Sequence, residues 1–142
     1  MFLLDTDHLV ILQRRTPPEY GRLKARMGTH DPQDFFVSIV SFHEEVNGWN
    51  AYLNRAKNIE GVVHAYGMYQ DLLTDFARRR VLPFDRRAGE VFESLRKHRI
   101  RIGTMDLRIA AIAIADRYTV LSRNLADFRK VPGLTAEDWT GP

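Results

Sequence analysis

Gly103-Thr104-Met105-Asp106-Leu107-Arg108-Ile109-Ala110-Ala111-Ile112-Ala113-Ile114-Ala115, followed almost at once by Tyr118-Thr119-Val120-Leu121, decides the fold. From Met105 to Ala115 the chain is almost wholly apolar, so a helix there must be covered on most sides. Tyr118–Leu121 is short and rich in β-formers, the composition of a strand. A buried helix feeding a strand belongs to an α/β protein, and the same alternation continues outward in both directions. Upstream, Val81-Leu82-Pro83-Phe84 reads as a strand, followed by a helix on Ala88, Val91, Phe92 and Leu95. Val62, Val63, Tyr66, Tyr69, Leu72, Leu73 and Phe76 recur at helical spacing, so a long helix runs from about Asn58 to about Arg79. Before it, Phe35 to Val40 reads as a strand that passes at Ser41 into a helix through about Ala56. Phe2-Leu3-Leu4 is the first strand, and Leu134-Thr135 starts a fifth. Strands alternating with helices predict a parallel sheet of four to five strands with helices on both faces, in one domain spanning 1–142.

Composition narrows the chemistry. The 142 residues include no cysteine, which excludes a disulfide framework, a thiolate zinc site and a cysteine nucleophile. The longest apolar run, Ile109–Ala115, is far short of the roughly 20 residues a membrane span needs. No signal-peptide pattern follows Met1, so a soluble protein of the cytoplasm is expected. The five histidines lack metal-ligand spacing, Gly61 and Gly67 form no phosphate loop, and Ser38, Ser41 and Ser122 lack the pattern of an activated nucleophile. Of 21 basic residues 17 are arginine, whose planar fork matches phosphate. Nine of the 21 fall between Arg78 and Arg101, against three acids. That flank is either a solvated face or a surface for nucleic acid or another acidic partner, with Arg79, Arg80, Arg99 and Arg101 as candidate contacts.

In a parallel sheet the ligand site lies beyond the carboxyl ends of the strands. Asp5 and Asp7 follow the first strand, Glu44 and Glu45 lie just inside the helix after the second, Asp106 opens the apolar helix, and Asp127 comes after the fourth strand. Each has a structural explanation. Asp7 suits a helix N-cap, Ser41 with Glu44 has the spacing of a capping box, and Asp106 complements a helix dipole. Together they suggest something else. Converging carboxylates repel unless a cation compensates, and oxygen ligands without cysteine suit Mg²⁺ or Mn²⁺. Such an ion activates water and stabilises a phosphoryl oxygen, so an acidic site beside a basic flank points to phosphodiester hydrolysis.

Four segments carry a family resemblance: Leu3-Leu4-Asp5-Thr6-Asp7; Ser41-Phe42-His43-Glu44-Glu45-Val46-Asn47-Gly48; Ile102-Gly103-Thr104-Met105-Asp106-Leu107-Arg108; and Ser122-Arg123-Asn124-Leu125-Ala126-Asp127-Phe128. In this order and spacing they resemble the PIN-domain ribonucleases. With Val131-Pro132-Gly133-Leu134 and Glu137-Asp138-Trp139 they are similar to the VapC type of toxin in type II toxin–antitoxin systems. The resemblance implies a Mg²⁺- or Mn²⁺-dependent endoribonuclease. It carries over Asp5, Glu44 and Asp106 as metal-binding acids, with Asp127 as a fourth catalytic acid and Thr6, Ser122 and Asn124 in support. It further implies an RNA substrate, a cognate antitoxin, and a homodimer or a hetero-oligomer with that antitoxin. Two positions depart from the family pattern: Glu45 stands where an apolar residue is usual, and Asp7 where the motif has asparagine. The rival readings are a receiver-like domain with a phospho-accepting aspartate, for which Lys130 is poorly placed, and a non-catalytic RNA-binding module on the same fold.

Overall fold

The computed structural model describes all residues from Met1 to Pro142. Five short strands build one parallel sheet: β1 (Phe2–Leu4), β2 (Phe35–Ser38), β3 (Val81–Leu82), β4 (Thr119–Leu121) and β5 (Ala136–Glu137), in the order β3-β2-β1-β4-β5. Leu3 stands beside Phe36 on one side and Val120 on the other, which places β1 at the centre. This order differs from the receiver arrangement, in which the strands run 2-1-3-4-5. Seven helices complete the chain: α1 (Thr6–Arg14), α2 (Glu19–Met27), α3 (Ile39–Arg55), α4 (Ile59–Ala77), α5 (Arg86–Lys97), α6 (Thr104–Asp116) and α7 (Leu125–Phe128).

Side chains alternate across a strand, so each face of the sheet has its own core. Leu3 and Val120 pack with Ile109, Ala110, Ile112 and Phe128 beneath α5, α6 and α7. Leu4, Phe35, Val37 and Leu121 pack with Leu9, Leu23, Leu72 and Phe76 beneath α1, α2 and α4. The apolar α6 is buried along Leu107 and Ile109–Ala113, as its composition requires. Truncating a wholly buried residue such as Leu3 or Ile109 to alanine costs about 2–5 kcal/mol.

Four local features differ from the sequence-based expectation. The second strand ends at Ser38, because Ser38 rather than Ser41 caps α3, accepting the Ser41 backbone N–H at 3.1 Å. Ile39 and Val40 thus fall in the helix despite their β-branched side chains. Asp7 does not cap α1; Asp5 does, accepting Thr6 N–H at 2.8 Å. The fifth strand forms at Ala136–Glu137, just beyond Leu134-Thr135. The helix α2 was unforeseen: Tyr20, Leu23 and Met27 do share one face at helical spacing and pack on the core, but the helix is only nine residues long and begins just after Pro17-Pro18. No helix is long and apolar enough to cross a membrane.

Candidate active site

The sheet directs four segments to one edge. β1 hands over to Asp5 and Thr6, β2 to Ser38 and Ser41, and β4 to Ser122, while α6 starts beside them with Asp106 in its first turn. Between them opens a cleft of about 570 Å³ lined by Asp5, Thr6, Asp7, Glu44, Asp106 and Asn124, with Arg14 and Arg123 as its cations.

Asp5 is buried at the cleft floor. One of its oxygens accepts Thr6 N–H, and the other accepts the Ser122 hydroxyl at 2.7 Å. Burial, and next the negative charge of Asp7, push its pKa up to about 7. Glu44 is anchored through Oε1 by the Thr6 hydroxyl at 2.8 Å, and the Ser41 hydroxyl lies 3.0 Å from the same Thr6 oxygen. With Ser41 inside α3 and Glu44 bonded across to α1, the expected capping box is not formed. Burial raises the Glu44 pKa, the Thr6 hydrogen bond opposes this, and Asp106 adds to it. Asp106 is likewise raised by burial; its Oδ2 accepts the Asn124 amide at 3.0 Å. The same amide reaches Asp127 Oδ2 at 3.1 Å.

Asp127 stands apart from the other acids. It is not among the cleft's lining residues, and hydrogen bonds from Asn124 and then Lys130, the latter at 3.2 Å, hold its pKa below the ordinary carboxylate value. No three acids stand close enough together to grip a bare ion. Asp7 lines the cleft rather than capping a helix, accepting Arg123 N–H at 2.9 Å. Glu45 points away from it, toward Gln13 at 3.2 Å.

The basic flank divides. Arg79 forms a paired contact with Asp75, at 2.8 and 2.9 Å. Arg80 donates to the Gln33 carbonyl and lies over the Phe36 ring, at the amino-terminal end of β3. Neither joins the cleft. Arg99 and Arg101 are exposed in the segment leading into α6, on the side where Asp106 begins that helix. Arg14 and Arg123 are the cations sequence reasoning missed. For Arg14 the signal was present: Asp7, Val10, Ile11 and Arg14 share one face of α1 at helical spacing, and all four line the cleft.

No family model matches the chain. Ribonuclease VapC1 of Rickettsia felis is 28% identical over 93% of this chain and 91% of its own length. The tRNA(fMet)-specific endonuclease VapC of Salmonella typhimurium is 26% identical over 97% of each. Over nearly its whole length this chain is similar to VapC ribonucleases. The crystal structure of VapBC2 from Rickettsia felis, bound to a DNA fragment from its promoter, superposes with a TM-score of 0.67 at 24% identity, covering 97% of this chain and 98% of the other. The fold is therefore the PIN-domain fold of VapC. On that fold, the chain brings Asp5, Thr6, Glu44, Asp106 and Asn124 to one cleft, with Ser122 hydrogen-bonded to Asp5 behind it.

Proposed function

We propose that this chain is a Mg²⁺-dependent endoribonuclease, with Mn²⁺ as a substitute, acting in the cytoplasm as the toxin of a toxin–antitoxin pair. The observation that carries the reading is the convergence of Asp5, Glu44 and Asp106 on one cleft, each pushed toward protonation by burial and by its acidic neighbours. Charges arranged at such cost to the fold are what a cation-binding site requires. The donor set fits a hard ion. Every donor is oxygen, and Glu44 Oε2 and Asp106 Oδ1 are free of hydrogen bonds.

Asp5, Glu44 and Asp106 would hold the ion. When bound, it supplies a more acidic water and offsets charge developing on a phosphoryl oxygen. Thr6 fixes Glu44 through Oε1 and leaves Oε2 free to bind the ion or to orient the attacking water. Ser122 fixes Asp5, and Asn124 fixes Asp106 while linking it to Asp127 at the rim. Arg14 and Arg123 face the same cleft and would hold phosphates of the RNA strand, with Arg99 and Arg101 extending that contact. A nuclease with an open site needs restraint in its own cell. A cognate antitoxin inserting a cation among the acids would supply it, in a hetero-oligomer with this chain or its homodimer. The exposed Ile59, Val63, Tyr66 and Leu73 along α4 support a protein partner.

The test is cleavage of a mixed RNA pool by the unaltered protein and by Asp106→Asn. Cleavage lost in the variant, with circular dichroism unchanged, supports the reading. Undiminished cleavage by the variant contradicts it.

A further inference from the structure

We propose that Asp7 and His8 form a positioning pair that fixes the Ser122–Asn124 loop beside the catalytic acids and couples it to the C-terminal segment. His8 is wholly buried on α1, and no step of the reaction above uses it. Its Nε2 accepts the Trp139 backbone N–H at 3.2 Å. That nitrogen therefore carries no proton, and the ring hydrogen sits on Nδ1, 2.8 Å from Asp7 Oδ1. Asp138 Oδ1, the other polar atom near Nε2, lies 3.7 Å away and already accepts from Thr140 N and Oγ1. The second oxygen of Asp7 accepts Arg123 N–H at 2.9 Å, with Ser122 Oγ at 3.3 Å.

His8 and Arg123 both donate to Asp7, so position 7 needs two acceptor oxygens. An asparagine would offer one, and its amide would oppose a backbone N–H that cannot accept. This accounts for aspartate where the related motif has asparagine. Beyond Arg123, Asn124 N donates to Ser122 Oγ at 2.9 Å, and the Asn124 amide reaches Asp106 and Asp127. One chain of hydrogen bonds thus runs from Trp139 through His8 and Asp7 to the loop that orients Asp106. Its catalytic consequence rests on the nuclease reading; its geometry does not.

The experiment is ¹⁵N NMR and amide hydrogen exchange on the full chain without metal or RNA. His8 should be an Nδ1–H tautomer, with slowly exchanging Arg123 and Trp139 amides. Asp7→Asn should speed Arg123 exchange roughly tenfold while core amides of Leu3 and Val120 keep theirs. His8→Asn keeps a donor for Asp7 but no acceptor for Trp139, so Trp139 should lose protection and Arg123 retain it. A merely structural histidine would loosen both together with the core. In RNA cleavage, Asp7→Asn should lower kcat roughly tenfold and leave KM nearly unchanged. An Nε2–H tautomer, or Arg123 exchange unaltered by Asp7→Asn, would overturn the pairing whatever the cleavage assay shows. Absence of cleavage by the unaltered protein would refute the nuclease reading and leave the NMR result to decide the pairing.

Discussion

Glu44 and Glu45 are neighbours on α3, yet they enter opposite kinds of acidic cluster. Glu44 joins Asp5, Asp7 and Asp106, in a cleft that Arg14 and Arg123 also line without either guanidinium forming an ion pair with these carboxylates. Glu45 joins Asp75, where Gln13 bridges the two acids and Arg79 closes on Asp75 with a paired contact. Burial would raise Asp75, but the Arg79 and Gln13 hydrogen bonds outweigh it and its pKa falls below the ordinary value. At Asp5 nothing outweighs burial, and the pKa climbs to about 7. Glu45 is raised by burial just as Glu44 is, so the clusters differ at Asp75, which has an arginine partner, and at Asp5, which has none. The cluster around Asp75 holds α1 to α4 through Gln13; the one around Asp5 is the cluster that the proposed function assigns to a cation.

The largest expected effect separates the clusters by activity. Asp5→Asn or Asp106→Asn should lower RNA cleavage roughly a thousandfold or more, because in the proposed function these side chains hold the ion. Glu45→Gln and Asp75→Asn should leave it within about twofold. Equal losses in both sets, measured as initial rates on one RNA, would erase the distinction.

The next effect is on stability. The folded-state pKa of Asp5 is raised, so the unfolded chain gives up its proton first as pH climbs. Metal-free protein should therefore lose stability from about pH 4 to about pH 7. Asp5→Asn should flatten that decline and stabilise the metal-free protein by about 1–2 kcal/mol at pH 7, several degrees in Tm. Added Mn²⁺ should raise the Tm of the unaltered protein but not of the variant, by about 2.7 kcal/mol at a hundred times Kd. Thermal melts across pH, with and without Mn²⁺, decide this. At Asp75 the sign reverses. Its pKa is lowered, so its contribution is present above the ordinary carboxylate range and is lost as pH falls through the lowered pKa. Asp75→Asn should cost about 1 kcal/mol at pH 7, and an unchanged melt would show Arg79 to be idle.

The smallest effect concerns RNA. In Asp5→Asn protein, Arg14→Ala and Arg123→Ala should each flatten the log–log salt dependence of RNA binding by about 0.7, the value for one phosphate contact on a single strand. Arg79→Ala should leave the slope unchanged, since that guanidinium is already taken by Asp75. A flatter slope for Arg79→Ala alone would move the RNA away from the cleft.

What the sequence discloses follows from the range of the forces involved. The parallel α/β sheet and the helices α3 to α6 were legible, because apolar periodicity and strand composition are local and strong. The choice between Asp5 and Asp7 as a cap, or Ser38 and Ser41, was not. Each turns on a shift of two or three residues, and every candidate is a good cap by type. The convergence of Asp5, Glu44 and Asp106 on one cleft was legible because Asp5 follows β1, Asp106 opens α6 and Glu44 lies in the second turn of α3, all at the same sheet edge. That Arg79 lies outside the cleft was not legible, because Asp75, four residues earlier, holds it through an ordinary helical ion pair. The role of His8 lay beyond sequence reasoning, since its partner Trp139 is brought to it only when β5 joins β4.

The central claim is that the uncompensated acids are completed by a divalent cation that cleaves RNA. The direct measurement is the fragment pattern of a mixed RNA pool incubated with purified protein in Mg²⁺, in Mn²⁺ and in EDTA. The account predicts discrete fragments with either ion, none in EDTA, and recovery when excess Mg²⁺ is returned. Undiminished cleavage in EDTA would contradict the role of the ion. No cleavage of any RNA under all three conditions would contradict the nuclease itself and leave a module that binds RNA without cutting it.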